Sequence, residues 1–362
     1  MKDIQKVNPF KSTIEKTDFG TITTLTTEIK VTTQQSISYS GKSLITSYVY
    51  NKNSYHLVYI VVDTEGNIES FQEDDGILPT LFLSPNQENY VSITPYHPDK
   101  ELEISIPIFN RENIELPKGN RAFVGNFIGT SKEFSIFYDV DPWSDTKPDK
   151  LLAIEFKNDS IKKKHNVKIE LPRENEIYIS NNEIHLLAKE GSKWIHRQID
   201  ALGKEIRRRK IETKQKYFNQ ILSLSFEQDS YLLSETKGKV IVEKINQEGK
   251  GKTIDLIDLN TPFYNTWQPI NIAENTFVTI FNNEFGNGWF TIKDDVLLDF
   301  YYSKGVKGYK NLLSGKVLEM DYEDLFISSI NKTAENEYAV IFYPRIEHPD
   351  KNKELIILNI KK

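Results

Sequence analysis

Apolar and polar residues alternate in short segments along the whole chain. Clear examples are Glu103–Ile108, Ile177–Ile179, Lys239–Ile245 and Thr276–Ile280. Alternation with a period of two is typical of β-strands, whose successive side chains point to opposite faces of a sheet. The most helix-like segment, residues 205–217, spaces its apolar residues poorly for a period of 3.6 and favours a charged strand. The pattern therefore predicts an all-β protein.

A Pro-Asp-Lys turn followed by an apolar strand occurs three times. The turn prolines are Pro98, Pro148 and Pro349, which lie 50 and 201 residues apart. Because 201 is close to four steps of about 50, this spacing indicates a repeat of about 50 residues. Other predicted hairpins fall near the positions given by this repeat: 52–54, 190–192, 237–239 and 285–288.

Each repeat contains short strands joined by hairpins. The unit at 175–213 predicts strands at Glu176–Ser180, Glu183–Lys189, Trp194–Asp200 and Glu205–Glu212. Four strands in about 40–50 residues resemble a blade of the β-propeller superfamily. The resemblance covers nearly the whole chain and implies one all-β domain over residues 1–362, a seven-bladed β-propeller. The expected blades are 37–73, 78–117, 121–172, 175–213, 217–258, 266–302 and 320–360.

A strand near the N-terminus is expected to pair with the last, incomplete repeat of the chain. Residues 21–31 form a predicted strand outside any blade, and the last unit has only three clear strands. Since proteins avoid unpaired sheet edges, we expect the N-terminal strand to complete the last blade and close the ring, with 1–20 as an arm. The chain lacks Trp-Asp blade endings, kelch double glycines and a Gly-x-Ser-x-Gly elbow, so the resemblance stops at the superfamily.

Composition excludes several classes of function. The net charge of -6 is spread along the chain, so we expect no nucleic-acid partner. The absence of cysteine excludes disulfides, thiolate metal sites and cysteine nucleophiles. No apolar run approaches about 18 residues, so no transmembrane segment is expected. The first residues show no signal peptide, which favours the cytoplasm, with export after removal of a leader as the alternative. We expect a monomer.

The candidate ligand-binding residues come from predicted loops on one face of the propeller. Loops between second and third strands, and between successive blades, gather on that face. The candidates are Trp143, Trp267, Trp289, Tyr343, Arg345, His97 and His348. Aromatic rings beside polar groups suit a glycan, a peptide or a protein partner. The alternative is that the tryptophans pack between blades. His97 and His348 would then occupy equivalent turns only because the repeats are related in sequence.

Three aspartates in one loop are a candidate metal site. Asp139, Asp141 and Asp145 have the one–three–seven spacing of oxygen ligands around Ca²⁺. Because the loop lacks the glycine and the distal glutamate of an EF-hand, a solvated acidic turn is the better interpretation. We therefore expect no cofactor, with Ca²⁺ as the alternative.

The residues favour a non-catalytic binding or scaffolding module over an enzyme, because no complete catalytic constellation is visible. The first alternative is a carbohydrate-active enzyme of the glycoside hydrolase kind, with carboxylates from Asp141, Glu284 and Glu347 converging on one face. The second is an interaction hub that uses the basic runs 162–165 and 207–210 as a rim. Both runs map to outermost strands, where lysine and arginine also discourage edge pairing.

Overall fold

The structure of the protein, a computed structural model, describes most of the chain. The described residues are 4–7, 10–28, 30–39, 42–51, 54–74, 80–83, 90–93, 108–109, 114–115, 127–138, 151–157, 160–167, 169, 175–180, 182–212, 222–226, 229–236, 239–258, 265–266, 270–273, 276–283, 286–294, 296–303, 306–320, 325–344 and 354–362. Within these residues there are 33 β-strands and no helix. The prediction of an all-β protein is confirmed for this part of the chain.

The strands are short and follow one another closely. In chain order they are β1 Ile4–Val7, β2 Phe10–Thr17, β3 Gly20–Thr27, β4 Lys30–Tyr39, β5 Lys42–Asn51, β6 Ser54–Asp63, β7 Ile68–Asp74, β8 Thr80–Leu83, β9 Tyr90–Ile93, β10 Ile108–Phe109, β11 Ile114–Glu115, β12 Phe127–Ser131, β13 Phe134–Tyr138, β14 Leu151–Lys157, β15 Ser160–Val167, β16 Asn175–Ser180 and β17 Glu183–Glu190. They continue with β18 Lys193–Ile199, β19 Glu205–Ile211, β20 Leu222–Phe226, β21 Asp229–Thr236, β22 Lys239–Ile245, β23 Gly251–Asp258, β24 Asn265–Thr266, β25 Ile270–Ala273, β26 Thr276–Asn283, β27 Gly286–Lys293, β28 Val296–Tyr302, β29 Tyr309–Asn311, β30 Val317–Leu318, β31 Leu325–Ala334, β32 Glu337–Pro344 and β33 Glu354–Lys361.

The described strands form seven antiparallel sheets, numbered here along the chain. Sheets 2 to 5 each contain four consecutive strands: β8–β11, β12–β15, β16–β19 and β20–β23. Sheet 1 has the order β1-β7-β6-β5-β4, and sheet 7 has the order β2-β3-β33-β32-β31. Sheet 6 has the order β24-β26-β27-β28-β29-β30, and β25 also pairs with β26.

Three sheets depart from the predicted four strands. The sequence predicts an arm over residues 1–20, but β1 pairs with β7 and β2 pairs with β3. Both strands cover a sheet edge that would otherwise be open. Residues 303–319, which the predicted blade boundaries leave unassigned, contribute β29 and β30 to sheet 6. β3 lies antiparallel to β33, from Gly20 opposite Ile360 to Thr26 opposite Glu354.

The chain divides into two units, of which the first contains residues 1–78 and 263–362. This unit holds sheets 1, 6 and 7, and sheet 7 has an apolar face on each side. Tyr338, Val340 and Phe342 pack with sheet 6, whereas Ala339 and Ile341 pack with sheet 1. Because side chains alternate along a strand, burial on both faces requires the continuous apolar run of β32.

The second unit contains residues 79–262 and holds sheets 2 to 5. Sheets 3 and 4 share an apolar cluster that includes Ile136, Ala153, Ile184, Leu186 and Ala188. The opposite face of sheet 4 contributes a smaller cluster, described below. Within each unit, strands at one edge of neighbouring sheets lie side by side: β8, β12, β16 and β20 in the second unit, and β4, β31 and β25 in the first. From here on, the strands of each sheet are counted from this edge.

One turn recurs between the third and fourth strands of sheets 1, 4 and 5. An Asp or Asn begins the turn, and its Oδ1 accepts hydrogen bonds from the amides two and four residues later, at 2.8–3.0 Å. The fourth residue is a glycine with a φ of 84–93°, which only glycine adopts readily. These turns begin at Asp63, Asp200 and Asn246. The motif Asx-x-x-Gly therefore forms the same turn in three sheets by the same local chemistry.

The N-terminal strand is expected to stabilise sheet 7 by burial. Leu25 on β3 is fully buried with Leu355 and Ile357. We expect Leu25→Ala to lower the free energy of unfolding by about 2–5 kcal/mol, because it leaves a cavity in a packed core. Urea denaturation measures this loss. Thr13→Ala on the exposed β2 strand is the matched control, and an equal effect of both substitutions would contradict the assignment.

Candidate functional site

Most of the predicted site residues lie outside the described residues. They are Asp139, Asp141, Trp143, Asp145, Trp267, Glu284, Arg345, Glu347, His97 and His348. Trp289 and Tyr343 are described. The structure therefore gives the positions of two of the predicted side chains. For the others it gives the positions of the strands before and after them.

For eight of these residues, all except Trp267 and Glu284, the flanking strands occupy equivalent places in their sheets. Residues 94–107, 139–150 and 345–353 each connect the second strand of a sheet to its third. The second and third strands are paired up to Tyr138 opposite Leu151 in sheet 3, and to Phe342 opposite Ile356 in sheet 7. In sheets 1, 4, 5 and 6 the same connection has only two residues.

Tyr343 is the described candidate that adjoins a long connection. It lies near the end of β32, immediately before residues 345–353, and its side chain is partly buried. Its ring centroid is 5.0 Å from that of Phe326 on the neighbouring strand β31. The two rings are tilted by 37° relative to each other.

Trp289 does not belong to a ligand face, which corrects the sequence-based expectation. Its side chain is fully buried between sheets 6 and 7, where its indole stacks on Tyr301 with centroids 4.6 Å apart. The indole Nε1 donates a hydrogen bond of 3.2 Å to the hydroxyl of Tyr338. A buried indole N–H requires such a partner, so Trp289 joins two sheets as the alternative interpretation predicts.

The Gly-Asn-Gly segment before Trp289 is also structural. The side-chain amide of Asn287 donates to the carbonyl of Leu325 at 2.5 Å and accepts from the hydroxyl of Tyr309 at 2.6 Å. A Cβ at Gly288 would lie 1.9 Å from the carbonyl oxygen of Tyr301. Asn287 therefore connects sheet 6 to sheet 7, and Gly288 allows β27 and β28 to approach closely within sheet 6.

The basic side chains of the predicted rim do not all project in the same direction, because side chains alternate along β19. The runs 162–165 and 207–210 lie on β15 and β19, the outermost strands of sheets 3 and 4, as predicted. Arg207 and Arg209 donate to the carbonyls of Gln247 and Asn246 in the Asx turn of sheet 5, at 2.9 and 2.6 Å. Arg208 forms an ion pair with Glu190 instead. Arg207 and Arg209, two of the four residues of the run 207–210, therefore connect sheet 4 to sheet 5.

A short backbone ladder strengthens the same junction. The amide of Glu212 donates to the carbonyl of Gly249 at 2.6 Å, and the amide of Gly251 donates to the carbonyl of Glu212 at 2.8 Å. A Cβ at Gly249 would lie 1.9 Å from the carbonyl oxygen of Lys210. Glycine is thus required at this position both for the turn and for the close approach of the two sheets.

Two histidines fill the interior of this junction. The hairpin register places His185 opposite Gln198 and Leu187 opposite His196, so the histidines are diagonal neighbours on one face. Both are buried, and their rings stack with centroids 5.2 Å apart. They lie beside the small apolar cluster that Leu187 forms with Ile245 of sheet 5.

The hydrogen bonds of this cluster define the positions of its protons. Arg209 Nε donates to Nδ1 of His196 at 3.0 Å, so this nitrogen carries no proton. Neutral His196 therefore carries its proton on Nε2, which donates to Nδ1 of His185 at 3.1 Å. Arg209, His196 and His185 form a chain of donors and acceptors, here called the histidine chain.

The environment keeps His196 neutral. Burial, followed in importance by His185, Arg209 and Arg207, lowers the pKa of His196 from 6.5 to about 2. In the histidine chain both imidazole rings are buried, and the guanidinium end at Arg209 is partly exposed. The chemistry of the histidine chain suits a buried polar contact between sheets 4 and 5.

Sequence reasoning missed the histidine chain because it singled out only His97 and His348, which lie in matching turns of two repeats. The signal that could have found it is the register of the predicted β17–β18 hairpin, which puts both rings on one face. Within the described residues, no group of three or more His, Asp or Glu side chains is arranged to hold a metal ion. Among the same residues, no helix is long and apolar enough to cross a membrane.

Comparison with known proteins identifies the fold. No protein-family model matches the chain, and no curated protein matches it significantly. Oligogalacturonate lyase in complex with manganese has a similar structure, with a TM-score of 0.57, 11% identity, and coverage of 100% of this chain and 99% of that chain. The β-propeller domain of the Trilobed protease from Pyrococcus furiosus gives 0.55 and 9% identity, over 91% of this chain and 93% of that one.

A third similar structure is the acylaminoacyl peptidase from Pyrococcus horikoshii. It has a TM-score of 0.51 and 12% identity, and the match covers 86% of this chain and 49% of that chain. At these identities the similarity shows the fold alone. The chain has a β-propeller fold, as the blade-like repeats predict.

Loss of the Trp289 ring is expected to destabilise the protein. We expect Trp289→Ala to lower the free energy of unfolding by about 3–5 kcal/mol, because it opens a cavity between two sheets. Trp194→Ala is the matched control. Because Trp194 is only partly buried, its substitution should lower the free energy of unfolding by less. Denaturant unfolding of both variants provides the comparison, and a wild-type stability for Trp289→Ala would contradict the buried position.

The histidine chain is expected to make stability depend on pH. The pKa of His196 is lower in the folded state than in the unfolded chain, so acidification below about pH 6.5 protonates only the unfolded state and lowers stability. This contribution reaches about 1.4 kcal/mol per pH unit and extends towards the folded pKa of about 2.

The variant His196→Gln removes this titration. The difference in unfolding free energy between wild type and variant should therefore shrink by about 1.4 kcal/mol per unit as the pH falls from about 6 to 4. Urea titrations at several pH values measure it. A pH-independent difference for His196→Gln would overturn the assignment.

Proposed function

We propose that the chain is one β-propeller domain over residues 1–362, in which each of the seven sheets is a blade and β3 closes the ring. The side-by-side arrangement of first strands within each unit supports this proposal. The pairing of β3 with β33 joins residues 20–26 to the last sheet and supports the closure. Blade boundaries then follow the strands, with 303–320 included in the sixth blade.

We further propose that the protein is a non-catalytic binding or scaffolding module for a glycan, a peptide or a protein. The observation that carries this proposal is the unequal length of the second-to-third-strand connections. Four sheets use two residues, whereas sheets 2, 3 and 7 use nine or more. Long connections on a regular scaffold are usually functional, since packing alone needs only a tight hairpin.

The long connections also contain most of the candidate residues. Trp143 lies in 139–150, Arg345 and His348 lie in 345–353, and His97 lies in 94–107. Tyr343 adjoins one of them, and Trp267 lies in a short connection between β24 and β25. These six residues form the proposed binding set. Trp289 is left out, because its ring is buried.

The alternative is a carbohydrate-active enzyme that uses Asp141, Glu284 or Glu347. The similar lyase supports including oligogalacturonate and Mn²⁺ among the substrates and ions tested. Asp139, Asp141 and Asp145 remain the proposed oxygen ligands if a divalent ion such as Ca²⁺ binds. The interaction hub is less favoured, because Arg207 and Arg209 already bind carbonyls of sheet 5.

The binding proposal is tested with the full chain and panels of glycans, including oligogalacturonate, and of peptides. We expect Trp143→Ala to weaken binding of the ligand found by about tenfold or more at unchanged Tm, because one aromatic anchor is lost. Leu202→Ala is the control, since Leu202 is exposed in the turn at the opposite end of β18 from its two-residue hairpin. Wild-type binding by Trp143→Ala would show that the loop assignment is wrong.

The same panel separates the binding module from the enzyme. Turnover of a glycan by the wild type that disappears in Asp141→Asn would favour the enzyme. Turnover is measured with and without added Mn²⁺ or Ca²⁺. Binding without turnover favours the module. Binding that falls steeply with added salt and with Arg208→Gln would instead favour the hub.

A further inference from the structure

The first two strands of the chain lie on the outer edges of two different sheets. β1 pairs with residues 70–73 of β7 in sheet 1. β2 pairs with residues 20–27 of β3 in sheet 7, antiparallel and without a bulge over its eight residues. Both sheets belong to the first unit and share an apolar cluster. We call β1 and β2 together the N-terminal strap.

β2 is anchored by few side chains. Phe10 is 5% exposed and packs in the apolar cluster that sheets 1 and 7 share. Residues 11–16 are exposed. Ile14 nevertheless contacts the Asx turn of sheet 1, since a Cβ at Gly66 would lie 2.6 Å from its Cδ1. β2 is therefore held by its backbone pairing, by one buried ring and by one half-exposed aliphatic side chain.

The edges beneath the N-terminal strap are held in place independently of it. β3 pairs along its other edge with residues 354–360 of β33. Its side chains are buried on both faces, with Ile22 towards sheet 6 and Leu25 towards sheet 1. β7 pairs along its other edge with residues 56–62 of β6. Segments that bury little apolar surface open at a lower free energy than core strands, so the strap can leave while β3 stays.

The edge of β3 fits one kind of ligand. An unpaired strand edge binds an extended peptide through main-chain hydrogen bonds, and side-chain positions select the sequence. Residues 20–27 contain no charged side chain, so charge does not select the ligand. The buried position of Phe10 accepts a large apolar side chain, and the position of Ile14 accepts a branched aliphatic one beside Gly66. The side chains between them are exposed, so their identity can vary.

We propose that the outer edge of β3 is a peptide-binding site that the chain's own N-terminal strap occupies. Its ligand is an extended segment of a partner protein that runs antiparallel to β3. This segment carries a large apolar residue and, four residues later, a branched aliphatic residue. The tethered strap competes with such a ligand at a high effective concentration and so keeps the site closed. None of the residues of the proposed binding set takes part.

A synthetic peptide of residues 4–17, labelled with a fluorophore, tests the proposal by fluorescence anisotropy. The full chain with Phe10→Ala should bind it at least about tenfold more tightly than the wild type, because the tethered competitor has lost its anchor. Phe10→Leu removes less volume and should give an intermediate affinity. The Tm of each variant checks that it is folded. A folded variant that does not bind the peptide overturns the proposal.

Substitutions in the peptide test the anchor. Phe10→Ala in the peptide should weaken binding to the Phe10→Ala chain by about tenfold or more, because the buried ring is lost. Thr13→Ala in the peptide is the matched control and should change Kd by less than about threefold, since Thr13 is exposed. Equal binding of the two substituted peptides overturns the assignment of the anchor.

A single thiol then locates the site. Thr23 is fully buried on β3 directly opposite Ile14, and the chain contains no cysteine. In the Phe10→Ala chain, the peptide should slow thiol labelling of the Thr23→Cys variant, because a buried thiol is inert. Ser135→Cys, fully buried in sheet 3, is the control and should label at the same rate with and without peptide. Peptide binding that leaves labelling at position 23 unchanged overturns the location.

Discussion

Burial of a sheet on both of its faces, as in sheets 4 and 7, is the constraint on which the rest of the structure depends. Sheet 7 illustrates it, because alternate residues of β32 pack with sheet 6 and with sheet 1. A sheet that is covered on both sides cannot use its faces for binding, so ligand contacts have to come from connections and outer edges. Apolar burial, at about 25 cal/mol per Å², supplies the main stabilisation of such packing.

The junction between sheets 4 and 5 meets the same constraint by different chemistry. Its apolar cluster is small, and the histidine chain with Arg207 and Arg209 fills the remaining space. Every hydrogen bond in that chain needs a specific orientation, so the contact fixes how the edge of sheet 4 meets the turn of sheet 5. An apolar contact of the same size would tolerate sliding, because dispersion is not directional.

Strand positions could be predicted because alternation and turn residues act locally. The predicted strands of the 175–213 unit correspond to β16–β19 within one or two residues, and residues 205–211 form a strand as expected. Partners across sheets could not be predicted in this way. Trp289 has the same sequence signature whether it is exposed or buried, and only packing against Tyr301 and Tyr338 decides the outcome. The histidine chain was missed for a related reason, since it exists only once a register is assigned.

Sheet 7 brings together residues 10–27 and 325–361, which are about 300 residues apart in the chain, whereas sheets 2 to 5 use consecutive strands. Contacts of high sequence separation form slowly, because the loop entropy is lost before any contact compensates for it. Sheet 7 is therefore expected to be the last to assemble. Until β3 arrives, β33 presents a bare apolar edge, and newly made chains are most exposed to aggregation during that interval.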